Sequence, residues 1–89
     1  MATNSNIQQI IQQIDDITFN INQQWPVEEM KEIRTQLKGL VSEVKIGQTR
    51  EQLIETLSIR PSEAENLEDK KMIVDRYGSA AETIREHLL

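Results

Sequence analysis

Between Ile7 and Trp25 the chain reads IQQIIQQIDDITFNINQQW, and its apolar residues fall into repeating rows. Ile7, Ile14 and Ile21 recur every seven residues, Ile10 and Ile17 follow the same interval one register over, and Ile11, Thr18 and Trp25 form a third row beside them. On a helix these rows merge into one broad apolar face. The alternation in Ile17-Thr18-Phe19-Asn20-Ile21-Asn22 also fits a strand. The seven-residue spacing continues on both sides of it, and the chain offers no second strand for pairing, so the spacing predicts a helix to about Gln24. Ahead of it, Met1 to Asn6 is polar and reads as a frayed lead, with Asn4, Ser5 or Asn6 available as a cap.

Trp25-Pro26 interrupts the pattern, because the residue before a proline is pushed out of the helical region while proline suits a first turn. A second helix is expected from Pro26, with Glu28 and Glu29 complementing its N-terminal dipole and an apolar stripe of Met30, Ile33, Leu37, Leu40, Val41 and Val44. Gly47 is expected to end it as a left-handed cap. So short a break predicts that the first two helices fold back as an antiparallel hairpin. Thr49 with Gln52 has the form of a capping box for a third helix that buries Leu53, Ile54, Leu57 and Ile59 and stops at Arg60-Pro61. Ser62 with Glu65 forms a second box, ahead of Leu67, Ile73, Val74 and Tyr77. After Gly78, Ser79 with Glu82 forms a third, ahead of Ala80, Ala81, Ile84, Leu88 and Leu89. The last two segments are expected as separate helices; the alternative is one helix that tolerates Gly78 at about 1 kcal/mol. The fold class is thus all-α: a small compact bundle of four to five helices in a single domain, residues 1–89. Its core is Ile7, Ile10, Ile14, Ile17, Ile21, Ile33, Leu37, Leu40, Val44, Leu53, Leu57, Leu67, Val74 and Ile84.

Composition narrows the function. A chain of 89 residues buries only about 60–65% of the surface its unfolded form exposes, so its core is thin. There is no cysteine, hence no disulfide, thiolate metal site or thiol nucleophile. MATNSN has neither a basic flank nor a long apolar run, so neither a signal peptide nor a membrane span is expected, and a cytoplasmic location follows. The net charge of −5 and three aromatic residues disfavour nucleic acid, which is held through Lys and Arg and stacked on rings. That charge is uneven: residues 1 to 27 hold two acids and no base, whereas the rest of the chain holds all ten bases.

Residues 50 to 69 match the apolar spacing of a helix-turn-helix, through Leu53, Leu57, Ile59, Ala64 and Leu67. The helix that would enter the groove begins Ser62-Glu63-Ala64-Glu65, however, and the segment carries six acids against two bases. Phosphate would repel it. The lone His87, near the C-terminus, has no second His or Cys for a relay or metal site, and no glycine-rich phosphate loop or calcium loop is present. Neither catalysis nor a cofactor is expected.

The polar side of the first helix is the sharpest remaining feature. It holds Gln and Asn almost throughout, and its only charges are Asp15 and Asp16. A solvated helix face normally carries Lys and Glu, so this one suits contact with protein on more than one side. A central place in the bundle explains the isoleucines, and a contact explains the missing charge. The residues expected in that contact are Gln12, Gln13, Asp15, Asp16, Asn20 and Trp25, although for Trp25 the first reading is a core plug that closes the hairpin. The expectation is a non-enzymatic interaction module, an adaptor, inhibitor or assembly domain, whose acidic excess steers it to a basic protein or whose first helix meets a second copy. In size and helix number the chain is similar to small homotypic-association domains of the death-fold kind and to short effector-associated helical domains of bacterial defence and signalling proteins. That likeness is one of architecture and carries no motif. The alternative expectation is a helix-turn-helix regulator using residues 50–69.

Overall fold

The computed structural model describes the backbone of residues 2 to 88 and the side chains of residues 6 to 88. Four α-helices follow one another: α1 (Ala2–Asn20), α2 (Val27–Val41), α3 (Gly47–Thr56) and α4 (Leu67–Leu88), with a 3-10 turn, Pro61–Glu63, between the last two. No strand occurs among the described residues. The radius of gyration, 12.5 Å, is that of a compact chain of this length, about 12 Å.

The apolar stripes converge on α4. Ile73, Val74, Tyr77, Ala80, Ala81 and Ile84 form its buried face.

 The spacing 73, 74, 77, 80, 81, 84 keeps helical phase straight through Gly78, so the stripe is a single helix face rather than two. This corrects the expected break at Gly78. Packing of that continuous face offsets the glycine's cost of about 1 kcal/mol, and the Ser79–Glu82 box does not form; Glu82 instead pairs with Arg85 one turn on. Helix α1 rests chiefly on α4, with Ile7, Ile10, Ile14 and Ile17 on it and Ile21 just past its end all buried, and α2 and α3 also pack against α4. The shared helix is therefore α4, and α1 lies at the edge of the bundle with its polar side outward.

Helix ends differ from the local signals for reasons that are visible in the contacts. Helix α1 begins at Ala2, ahead of the expected cap, and ends at Asn20, whose carbonyl accepts from the Gln23 and Gln24 amides at 2.9 and 3.1 Å. Pro26 occupies the cap position of α2, its carbonyl accepting from the Met30 amide at 2.9 Å. Helix α2 ends at Val41, so Gly47 does not cap it; Gly47 opens α3, and no glycine among the described residues has a positive φ. The tight turn after Val41 instead drives Val44 fully into the core, and the Arg50 guanidinium donates to the Val44 carbonyl at 2.6 Å. Ile46, not Thr49, stands at the α3 cap, and Ile54 is exposed. Ser62 lies inside the 3-10 turn, where the Glu63 carboxylate accepts from the Arg60 amide at 3.1 Å. The cap of α4 is Asn66: its Oδ1 accepts from the Asp69 amide at 2.9 Å, and the Asp69 carboxylate accepts in return from the Glu65 amide at 3.0 Å. That reciprocal pair starts α4 at Leu67, on the first turn and 39% exposed, so Leu67 is not a core residue.

The segment from Leu57 to Pro61 is held by three side chains from elsewhere in the chain. Arg34 donates through Nε to the Leu57 carbonyl at 2.7 Å and through Nη2 to the Ser58 carbonyl at 3.5 Å. The Tyr77 hydroxyl donates to the Ile59 carbonyl at 2.7 Å, and the Trp25 indole donates to the Pro61 carbonyl at 3.2 Å. A connector without regular structure leaves carbonyls that a helix would have bonded internally, and these three donors satisfy them. They also separate α3 from α4 by residues 57 to 66, far longer than the three- or four-residue turn of a helix-turn-helix.

Gly39 lies exposed in the middle of α2, and a Cβ added there would meet nothing within 4 Å. Gly39→Ala is therefore expected to stabilise the fold by about 1 kcal/mol through helix propensity, which for a domain of this size raises the thermal midpoint by about 4–8 °C. Scanning calorimetry reads this, and an unchanged or lower midpoint would show that the open space beside Gly39 is not free.

Candidate interaction surface

With α1 at the edge of the bundle, one side of it is left without an intramolecular partner. Gln8, Gln9, Gln12, Gln13, Asp15, Asp16, Phe19 and Asn20 are all exposed. Phe19 stands out, being 89% exposed, with Gln12, Asp15 and Asp16 one or two turns before it on the same side. Phe19 belongs to the row Ser5, Gln12, Phe19, a seven-residue row that is otherwise polar. An aromatic ring in a polar row is a signal present in the sequence, and weighing only the isoleucine rows passes over it.

The six residues expected at an interface are spread over different surroundings. Gln12 lies on the outward side with Phe19. Gln13 faces a polar cleft shared with Asn6, Gln9, Glu32, Gln36 and Glu43. Asp16 and Asn20 line a smaller cleft with Gln24, Pro26 and Glu29, where the Asn20 amide donates to the Asp16 carbonyl at 3.0 Å. Asp15 lines a larger groove between α1 and α4. Trp25 turns inward: it is half-buried, packs against the core and spends its indole N–H on Pro61. Trp25 thus serves the closure of the fold.

The electrostatics of α1 are also one-sided. It has no acid in its first turn and no base in its last, and both of its carboxylates lie toward the C-terminal end, where the helix dipole gives them no support. Helix stability does not account for them. Among the described residues no group of three or more His, Cys, Asp or Glu is placed to hold a metal ion, and His87 is exposed near the end of α4. No described helix is long and apolar enough to cross a membrane. No family model, curated protein or solved structure matches the chain.

Proposed function

We propose that the protein is a non-enzymatic protein–protein interaction module that docks through the outward face of α1, with Phe19 as the anchor. The observation that carries this reading is an almost fully exposed ring set among Gln and Asn on a face with no basic residue. Interface cores are enriched in aromatic residues relative to the remaining surface, and on this face Phe19 supplies one. The partner is a protein or a second copy of this chain, acting from the cytoplasm, and the whole chain acts as one domain. We also read α1 and α2 as an antiparallel hairpin. In its support, the cleft that contains Asp16 and Asn20 reaches Pro26 and Glu29 at the start of α2, while the cleft that contains Asn6 and Gln9 reaches Leu40 and Glu43 at its end.

The test is molar mass by light scattering over a hundredfold concentration range, together with capture from native extract, on the wild type and on Phe19→Ser. The substitution lies outside the core, so stability is expected to stay within about 0.5 kcal/mol of the wild type. The variant is expected to lose either self-association or a protein that the wild type retains. Identical mass and identical capture for the two proteins would sink the reading.

A further inference from the structure

A second surface lies around the edge of α1 from Phe19. Helices α1 and α4 leave an open groove of about 800 Å³ between them, and its apolar lining includes Ile11, Ile14, Ile21, Val74 and Met72. Gly78 and Ser79 are the small residues of its α4 wall, and Ile14 packs close over Gly78, its Cγ2 3.6 Å from where a Cβ there would lie. Met72 is exposed at the rim, an unbranched and adaptable side chain suited to contact with a partner.

The charges around this groove are mostly acidic, four carboxylates against one base. Asp15 on α1 faces it from one wall, and Glu68 and Asp75 on α4 from the other; Glu82 is also present but is paired with Arg85. Lys71 is the only base in the lining. Among the described residues neither Asp15, Glu68 nor Asp75 takes part in an ion pair. On α4 the lining runs from Glu68 to Glu82, about 21 Å at 1.5 Å per residue. That length matches about four turns of a helix laid against the pair.

We propose that the α1–α4 groove binds an amphipathic helix of another protein, its apolar stripe set on the accessible Ile11 and Met72 and its flanks carrying Lys or Arg against Asp15, Glu68 and Asp75. Charge complementarity selects this occupant: a second copy of this acidic chain would bring carboxylates to carboxylates, whereas a basic helix neutralises both walls. The two walls are themselves helices with no strand edge to extend, so the mode is helix-in-groove, read through anchors at i, i+3, i+4 and i+7. The groove meets the Phe19 face at Asp15 but does not include Phe19, and it stands whether or not Phe19 binds anything.

The experiment is selection from a displayed library of eighteen-residue amphipathic helices in which apolar positions vary among Leu, Ile, Phe and Met and flanking positions among Lys, Arg, Glu and Asp. Enriched peptides are expected to be basic on both flanks, and titration into labelled protein is expected to move the amide signals of Ile11, Asp15, Met72, Asp75 and Ser79. Ser79→Tyr, which fills the groove from an exposed helix position, and the pair Asp15→Lys with Asp75→Lys are each expected to weaken the selected peptide at least tenfold. Phe19→Ser should leave its affinity within twofold, which separates this site from the other face. Enrichment of acidic flanks, signal changes confined to other surfaces, no enriched peptide at all, or unchanged affinity in the groove variants would each overturn the proposal.

Discussion

Replacing Tyr77 with alanine is expected to cost about 4 kcal/mol, a large share of the roughly 5–13 kcal/mol that a domain of this length possesses. Tyr77 is among the largest fully buried side chains and lies in the middle of the continuous α4 stripe. Its hydroxyl holds the Ile59 carbonyl, so two separable losses are involved. Tyr77→Phe keeps the ring and removes only the hydroxyl, leaving that carbonyl without its donor, and is expected to cost about 1–2 kcal/mol. Urea denaturation of the three proteins separates the ring from the bond. Equal losses for the two variants would mean that the ring contributes nothing beyond its hydroxyl, which the burial does not allow.

The same residue gives the fold a pH limit. Burial, reinforced by the Glu63 carboxylate and opposed by the Arg34 guanidinium, pushes the phenol from 10.0 up to about 12. The neutral phenol is the form the fold accepts. Its contribution is fully present below pH 10; as pH rises from there the unfolded chain ionises first, and stability falls until the folded phenol also ionises near pH 12. The loss over that window is about 2–3 kcal/mol. Lysines titrate there too, so the comparison that isolates Tyr77 is wild type against Tyr77→Phe, whose stability should decline less steeply between pH 10 and pH 12. Parallel curves would remove the phenol as the cause.

What the chain reveals locally and what it conceals divide along a physical line. The buried stripes were legible because burial on a helix follows its period: Ile33 and Leu37 on α2, and Ile73, Val74 and Tyr77 on α4, fall where the spacing puts them. Helix ends were not, because Ser or Thr followed three residues later by Glu or Gln occurs at Thr49, Ser62 and Ser79, and none of the three caps an α-helix here. The choice fell to Asn66, which the buried Pro61 and the bonds to the connector place at the start of α4. Those bonds join residues 18 to 36 positions apart, and no local window contains both partners. The edge position of α1 was hidden for a similar reason. Isoleucine rows report that one side is buried but not which helix buries it. The uncharged side was legible as unusual, and its exposure, together with that of Phe19, required the packing of α1 on α4.

Ile14→Ala is expected to cost about 3 kcal/mol, and Ile11→Ala only about 1 kcal/mol, although both are isoleucines in the same helix and only one turn apart. Ile14 is 4% exposed, and directly opposite it is Gly78, which has no side chain to move into the space that truncation would leave. A cavity that cannot collapse puts the loss in the upper part of the usual range only if neighbouring residues also hold still, so the middle of the range is the expected value. Ile11 is half-buried on the groove wall, where water replaces whatever is removed. The two positions lie about 60° apart around the helix axis, so the ratio of their losses measures how α1 is rotated on α4. Chemical denaturation gives both values directly. Similar losses would mean that α1 is turned to bury Ile11 and Ile14 alike; the groove would then be closed by the chain's own side chains, and Phe19 would be carried round with the opposite face.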